Sequence, residues 1–89
     1  MEGHAHIASD VLARYAADAA REVPGVRALV GRHGGVRVEG ARLELHLAVD
    51  WGASIPEVGE AVQGRVVEYL AQMADVRPDA VDIVVEAVA

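Results

Sequence analysis

Residues 43–49 read LELHLAV and decide the fold of this chain of 89 residues. Apolar side chains stand at every second position of the stretch, and glutamate, histidine and alanine lie between them. Successive side chains of a strand point to opposite faces of a sheet, so this period of two is typical of a half-buried antiparallel strand. We therefore expect a sheet that turns one face to a core.

The segment after this strand predicts a long helix. Residues 54–57 read SIPE, a capping box in which a serine is followed three residues later by a glutamate. An amphipathic stripe follows at spacings of three and four, formed by Ile55, Val58, Val62, Val66, Tyr69 and Met73. Gly59 and Gly64 lie inside the helix, where each costs about 1 kcal/mol relative to alanine. The sequence leaves open whether these glycines admit a neighbouring backbone or are simply tolerated, and we expect the helix to contribute most of the core.

Upstream, the sequence predicts a first helix and then two short strands. Ser9 or Asp10 is expected to cap the helix, and Pro24-Gly25 ends it because proline lacks an amide and clashes with the preceding turn. The apolar positions of the helix are Leu12, Tyr15, Ala16, Ala19 and Val23. Residues 26–30 alternate, which predicts a strand with one face formed by Val26, Ala28 and Val30 and the other by Arg27 and Leu29. Residues 36–39 predict a second strand between two glycine-containing turns.

The last predicted strand, residues 81–85, follows a linker that Pro78 interrupts. The element order is therefore α-β-β-β-α-β. The sequence does not decide whether residues 4–8 form a further short strand. Its third strand, long helix and last strand form a β-α-β unit, whose crossover should be right-handed. We expect an α+β, two-layer sandwich with both helices on one face of a mixed sheet, as a single domain over residues 1–89.

The composition argues against several classes of function. The net charge is −6, from 14 acidic residues and 8 arginines without any lysine, which disfavours general nucleic-acid binding. The absence of cysteine excludes disulfides, thiolate zinc sites and iron–sulfur clusters. With 17 alanines, 16 valines and no phenylalanine, few rings remain for stacking on bases or flavins. Because the sequence shows neither a signal peptide nor an apolar run long enough to span a membrane, we expect a cytoplasmic protein.

Catalytic and metal-binding chemistry find little support. His4 and His6 form an H-x-H pair that would place two ligands on one side of a strand, but a third would have to come from His33 or His46. Both serines stand at expected helix starts, where capping accounts for them, and no nucleophile elbow occurs. We expect no catalytic residue, no cofactor and no bound metal, and a small metal- or ligand-binding regulator stays an alternative.

One segment is basic within this acidic chain. Residues 27–42 carry a net charge of +3, from four arginines at 27, 32, 37 and 42 and one glutamate. Such a face could contact an anion, an acidic partner or another copy of the chain. The alternative is that these arginines have no binding role and simply lie on a strand face exposed to solvent.

Residues 31–34 within this segment read GRHG and match the G-x-x-G string of KH nucleic-acid-binding domains. In that family the loop joins two helices, whereas here it joins two predicted strands. A KH-like nucleic-acid or ribosome-associated module is therefore the alternative function, and nucleic-acid binding is not expected.

Four short segments, in their order and spacing, match those of a known family. Residues 22–26 read EVPGV, residues 35–39 read GVRVE, residues 55–58 read IPEV, and residues 81–85 read VDIVV. Together they resemble the alkaline-shock-protein family, also called the Gls-type general stress or envelope stress response proteins of Gram-positive bacteria. The resemblance spans nearly the whole chain.

This resemblance implies a non-enzymatic protein. Members of the family are cytoplasmic proteins linked to cell-envelope homeostasis and stress; some self-assemble, and some are held at the membrane by a small membrane-anchored protein. We accordingly expect a binding or scaffold module that acts through protein–protein contacts, with a second copy and such a membrane-anchored protein as partners, and without inserting into the membrane itself.

The contact surface is expected on the sheet face that the helices leave open. The last strand is apolar on part of both faces, with Val84 and Val88 expected beside acidic side chains on the open one. Arg27 and Arg37 are expected on the same sheet. Apolar patches rimmed by charge are typical of protein–protein contacts, so these four residues form the predicted interaction surface.

Overall fold

The computed structural model describes residues 8–89 of the chain. Its elements are α1 (Ser9–Arg21), β1 (Val26–Leu29), a short turn segment (Arg32–Gly35), β2 (Val36–Glu39), β3 (Arg42–Val49), α2 (Ile55–Ala74) and β4 (Ala80–Val88). The predicted order α-β-β-β-α-β and the α+β class are confirmed. The strand considered at residues 4–8 lies outside the described residues except for Ala8, which is the N-cap of α1.

The sheet is mixed and is built around β3. β1 and β2 pair antiparallel with the two halves of β3, Leu47 to Val49 and Arg42 to Leu45 respectively. β4 pairs in parallel with the whole length of β3. A strand has only two edges, so β1 and β2 share one edge of β3 while β4 occupies the other.

Both helices cover the same face of this sheet. α1 packs on β1 and β2, α2 packs on β4, and the two helices contact each other. The largest fully buried side chains come from β3 and α2, and they are Leu43, Leu45, Leu47, Val49, Val62, Val66 and Leu70. The alternating stretch of β3 therefore turns its leucines to the helices, as predicted.

The helices also contact each other through polar and aromatic groups. Arg65 of α2 donates hydrogen bonds from Nε and Nη2 to the Glu22 carboxylate, at 3.0 and 2.8 Å, and this contact with Glu22 raises the pKa of Arg65. The same guanidinium lies 5.3 Å from the ring centroid of Tyr69, whose ring packs edge-on against Tyr15 at 6.0 Å. These contacts join the end of α1 to the middle of α2.

Two details of the helices differ from the sequence prediction. Neither Ser9 nor Asp10 caps α1: both lie inside the helix, and its N-cap Ala8 supplies no side-chain hydrogen bond. Ser54 does cap α2, because its Oγ accepts a hydrogen bond from the Glu57 N–H at 3.4 Å. Of the two serines, only the one followed by the capping-box glutamate acts as a cap.

The apolar stripe of α2 is shorter than its spacing predicted. Val58, Val62 and Val66 are buried and Leu70 joins them, but Ile55 and Met73 are 43% and 50% exposed. Both residues lie in the end turns of the helix, outside the core cluster and the side chains packed against it. A Cβ added at Gly59 or Gly64 would meet no atom within 4 Å, so these glycines admit no neighbouring backbone.

The face assignment predicted for β1 is wrong. Arg27 is an extra residue between the pairs Val26–Val49 and Ala28–Ala48, which makes a β-bulge. Leu29 therefore faces the core together with Val26, whereas Ala28 lies on the opposite face. One inserted residue reverses the alternation for the rest of the strand.

Candidate protein-interaction surface

The sheet face turned away from the helices, here called the open face, is lined by alternate residues of all four strands. Cross-strand partners share a face, so the register assigns its members. They are Ala28, Arg37, Glu39, Arg42, Glu44, His46, Ala48, Ala80, Asp82, Val84 and Ala87. Glu86, at the bulge of β4, joins them through its contact with His46. Ala48 is buried but stands apart from the main core cluster, which is consistent with this placement.

His46 lies at the middle of the open face between two carboxylates. Its Nδ1 is 2.5 Å from Glu86 Oε2, and its Nε2 is 3.7 Å from Glu44 Oε2. The side chain of His46 is 26% exposed. The imidazole of His46 therefore links β3 to β4 through a side-chain contact, in addition to the backbone pairing of the two strands.

Ion pairs cover the rest of the open face. Arg37 Nη2 is 2.7 Å from Glu39 Oε2, and Arg42 Nη2 is 3.4 Å from Asp82 Oδ2. All four side chains are more than half exposed, so each pair contributes at most about 1 kcal/mol to stability. Exposed pairs of this kind are easily rearranged when another surface approaches.

The open face shows no arrangement for metal binding. Within residues 8–89, no three histidine, cysteine or acidic side chains converge as metal ligands would. His33 lies in the exposed turn segment, away from the core, and His46 is engaged with two carboxylates. The H-x-H pair His4 and His6 lies outside the described residues.

The four residues of the predicted interaction surface fall into two groups. Arg37 and Val84 lie on the open face, on strands at opposite edges of the sheet. Val88 does not share this face with Val84, because β4 carries a bulge at Glu86 that brings Val88 into register with Val49. Arg27 projects from the β1 bulge, and its Nη1 lies 3.5 Å from Asp50 Oδ1. Arg27 and Val88 therefore belong to the end of the molecule where β3 leaves the sheet.

That end of the molecule presents Trp51, which the sequence analysis missed. Trp51 is 84% exposed, although it is the only tryptophan in the chain. Its backbone N–H donates to Ala89 O at 2.8 Å, and the N–H of Asp50 donates to Gly25 O at 2.9 Å. The turn is thereby held to its neighbours on both sides. The sequence did contain a sign of this exposure. The tryptophan stands between Asp50 and Gly52, in the segment between the predicted strand and helix, where no periodic pattern of apolar residues places it in a core.

Two further exposed apolar side chains flank this turn. Ile55 opens α2 directly after it and is 43% exposed, and Val88 precedes Ala89, the hydrogen-bond partner of Trp51, and is 45% exposed. We call Trp51, Ile55 and Val88 the Trp51 tip. Tryptophan is enriched among the residues that dominate binding energy at protein interfaces, and exposed apolar surface often marks such interfaces.

A groove of about 1140 Å³ lies between α1, the turn segment and β2. Its apolar lining comes from α1 and β2 and includes Ala13, Ala17, Val36 and Val38. Its basic lining comes from three elements and consists of Arg14, Arg21, Arg32 and Arg37. Its acidic lining consists of Asp10 in the first turn of α1 and of Glu44 and Glu86 at the open-face end. We call this feature the arginine groove.

The G-x-x-G string forms one side of the arginine groove. It lies between β1 and β2, with left-handed backbone at His33 (φ 54°) and Gly34 (φ 69°). The KH arrangement, in which such a loop joins two helices, does not occur here. Neither helix of residues 8–89 combines the length and the apolar character that a membrane crossing requires.

Comparison with known proteins adds a family and a fold. The family model for the alkaline shock protein 23 family, described as having a cell envelope-related function, matches residues 32–89. This match confirms the resemblance stated from the sequence. No curated protein matches the chain.

Solved structures of the MamM CTD share the fold. A variant in its zinc form has 24% sequence identity and a TM-score of 0.61, over 88% of this chain and 84% of that one. A copper form has 23% identity and a TM-score of 0.62, over 90% and 98%. A third variant has 21% identity and a TM-score of 0.65, over 91% and 84%. At these identities the likeness shows a common fold.

Proposed function

Since this chain belongs to the alkaline shock protein 23 family, whose described function is cell envelope-related, we propose that it is a non-enzymatic stress response protein. It acts as a binding or scaffold module through protein–protein contacts. Its partners are a second copy of itself and a small membrane-anchored protein. The protein works in the cytoplasm and reaches the membrane only through that partner.

The observation that carries this proposal is the open face together with its edge. Val84 lies there next to exposed ion pairs, at the register of His46, and β4 ends the sheet on that side. An edge strand presents unpaired backbone groups, which favours pairing with another chain. Arg37 lies at the opposite edge, so a surface with acidic and apolar groups can contact both.

The self-association is tested by sedimentation velocity of the purified chain up to high micromolar concentration. Wild type should assemble, and the double variant Val84→Glu with Arg37→Glu should stay monomeric because it buries a charge and reverses another. A matched control, Val67→Glu with Arg77→Glu, changes exposed residues outside the open face and should assemble as wild type does. A wild-type monomer at all concentrations would end this part of the proposal.

The membrane-anchored partner is tested by affinity capture from native cells, with membrane and soluble fractions kept apart. The wild-type chain should retain a small membrane protein from the membrane fraction. The Val84→Glu, Arg37→Glu variant should lose it, and the Val67→Glu, Arg77→Glu control should keep it. Equal capture by both variants would show that the partner binds elsewhere.

A further inference from the structure

We propose that the Trp51 tip of one copy docks into the arginine groove of the next, so that self-association proceeds head to tail. This inference rests on the proposed self-association and names two surfaces for it. One of them, the arginine groove, shares Arg37 with the open face. The occupant of the groove is the segment around Trp51 of a second copy of this chain.

The first reason is that the Trp51 side chain is exposed while the backbone of its turn is held in place. An indole ring buries roughly 150–250 Å² when it is covered, and this one is 84% exposed. Two backbone hydrogen bonds, from Trp51 to Ala89 and from Asp50 to Gly25, hold the turn in place. Because the turn is already ordered, docking it loses little conformational freedom.

The second reason is the chemistry of the groove. Alanine and valine side chains of α1 and β2 supply an apolar lining, and four guanidinium groups surround it. A guanidinium within about 6 Å of a tryptophan ring is attracted to its face, and tryptophan is the best ring for this contact. Arg65 already packs on Tyr69 in this way inside the chain, at 5.3 Å.

Charge complementarity points to the same pairing. The turn and the start of α2 carry Asp50 and Glu57, with Arg27 as the neighbouring cation. In the groove, Arg14 and Arg32 form no ion pair with any described side chain. Of the groove's three acidic residues, Glu44 and Glu86 both contact His46, and Asp10 lies in the first turn of α1. Four arginines outnumber these three acidic residues, so an acidic tip meets a groove of net positive charge.

The two surfaces lie at different places on the molecule and share no residue. Each copy thus offers one tip and one groove, which makes the contact heterologous. Such a contact adds copies one after another instead of closing a symmetric dimer. A substitution that disrupts the tip or the groove in every copy therefore prevents assembly. When a copy with a disrupted tip is mixed with a copy with a disrupted groove, one tip–groove contact can still form.

The experiment uses the full chain and the fluorescence of Trp51, the only tryptophan. As wild type assembles in sedimentation velocity, the emission should shift to shorter wavelength because the indole leaves water. Trp51→Ala should weaken assembly about tenfold or more, as expected for a central aromatic contact. The control Met73→Ala removes a half-exposed apolar side chain from α2, outside the Trp51 tip and the groove, and should assemble as wild type does.

The groove is tested by Arg14→Glu with Arg32→Glu, which should weaken assembly at least as much as Trp51→Ala does. Its control is Arg77→Glu, an exposed arginine outside the groove, which should leave assembly unchanged. The decisive sample mixes the Trp51→Ala chain with the groove variant. One intact groove and one intact tip should give 1:1 dimers, and the emission, which comes from the groove variant alone, should again shift to shorter wavelength.

Each alternative result overturns the inference. Assembly of wild type without an emission shift, unchanged assembly of Trp51→Ala, or a mixture that stays monomeric would show that other surfaces meet. In those cases the proposed self-association stands, with the open face as its remaining surface. A wild-type chain that stays monomeric at every concentration would contradict both the proposed self-association and the contact between tip and groove.

Discussion

At the scale of single residues, Gly25 is a glycine that the fold constrains closely. It follows Pro24 at the turn into β1 with φ at +97°, a conformation that favours glycine. A Cβ built there would lie 2.6 Å from Val58 Cγ2, on the buried face of α2. The turn therefore sits directly against the long helix, and no larger residue fits without moving one of them.

Gly25→Ala should lower the free energy of unfolding by about 1–3 kcal/mol, because it combines backbone strain with overpacking against Val58. Gly64→Ala is the matched comparison: its added methyl group meets nothing, so helix propensity alone should raise stability by up to about 1 kcal/mol. Urea unfolding monitored by circular dichroism measures both. Equal effects of the two changes would contradict the packing described at Gly25.

At the scale of elements, the two helices begin in different ways. α2 has a serine cap and a proline in its first turn, whereas α1 begins after Ala8 without any side-chain cap. The same residue type thus has different roles at Ser9 and Ser54, because only the residue that precedes the first helical turn can reach its free amides.

Ser54→Ala should lower the free energy of unfolding by about 1 kcal/mol, the usual effect of losing an N-cap. Ser9→Ala should leave it within about 0.5 kcal/mol of wild type, since its side chain caps nothing. Thermal unfolding of both variants provides the measurement. A larger loss at Ser9 than at Ser54 would mean that the caps are assigned to the wrong residues.

The buried stripe of α2 predicts a second contrast at this scale. Val62→Asp should unfold the domain, because an unpaired buried charge costs several kcal/mol against a total stability of about 5–8 kcal/mol. Val67→Asp places the same side chain on the outer surface of the same helix and should remain folded. The comparison is made by circular dichroism during heating. Cooperative unfolding of Val62→Asp at the wild-type temperature would show that the stripe faces outward.

At the scale of the whole molecule, charge and exposed apolar surface are separated. The chain carries a net charge of −6, yet four of its eight arginines line one groove. Among residues 8–89, the most exposed large apolar side chain is Trp51, in the β3–α2 turn. The protein thereby carries an acidic tip and a basic groove at separate places. It also has an acidic exterior that anionic headgroups repel.

The purified chain should not float with anionic lipid vesicles at physiological ionic strength, because repulsion opposes the approach and neither described helix can span the bilayer. Sucrose-gradient flotation with anionic and with neutral vesicles provides the measurement, and Trp51→Ala serves as the comparison. Spontaneous flotation would contradict the prediction. If that flotation disappeared in Trp51→Ala, the tip would be a membrane contact.

The local pattern determined the elements of this protein. The alternation of residues 43–49, the capping box at 54–57 and the spacing of Val58, Val62 and Val66 follow from backbone geometry that each residue shares with its neighbours in sequence. These short-range signals predicted the element order, the α+β class, the mixed sheet and the burial of the strand leucines. The four short segments in their fixed order also indicated the family.

Only the tertiary structure decided the faces, the ends and the sites. Bulges at Arg27 and Glu86 each insert one residue against the neighbouring strand, and they moved Leu29 and Val88 to faces that strict alternation does not predict. The spacing along α2 did not show that Ile55 and Met73, in its end turns, are about half exposed. The arginine groove joins residues from α1, the turn segment and β2, and Trp51 is held by an interaction with Ala89, 38 positions along the chain. Such features depend on contacts between distant segments, and a periodic pattern carries only the relation of a residue to its near neighbours.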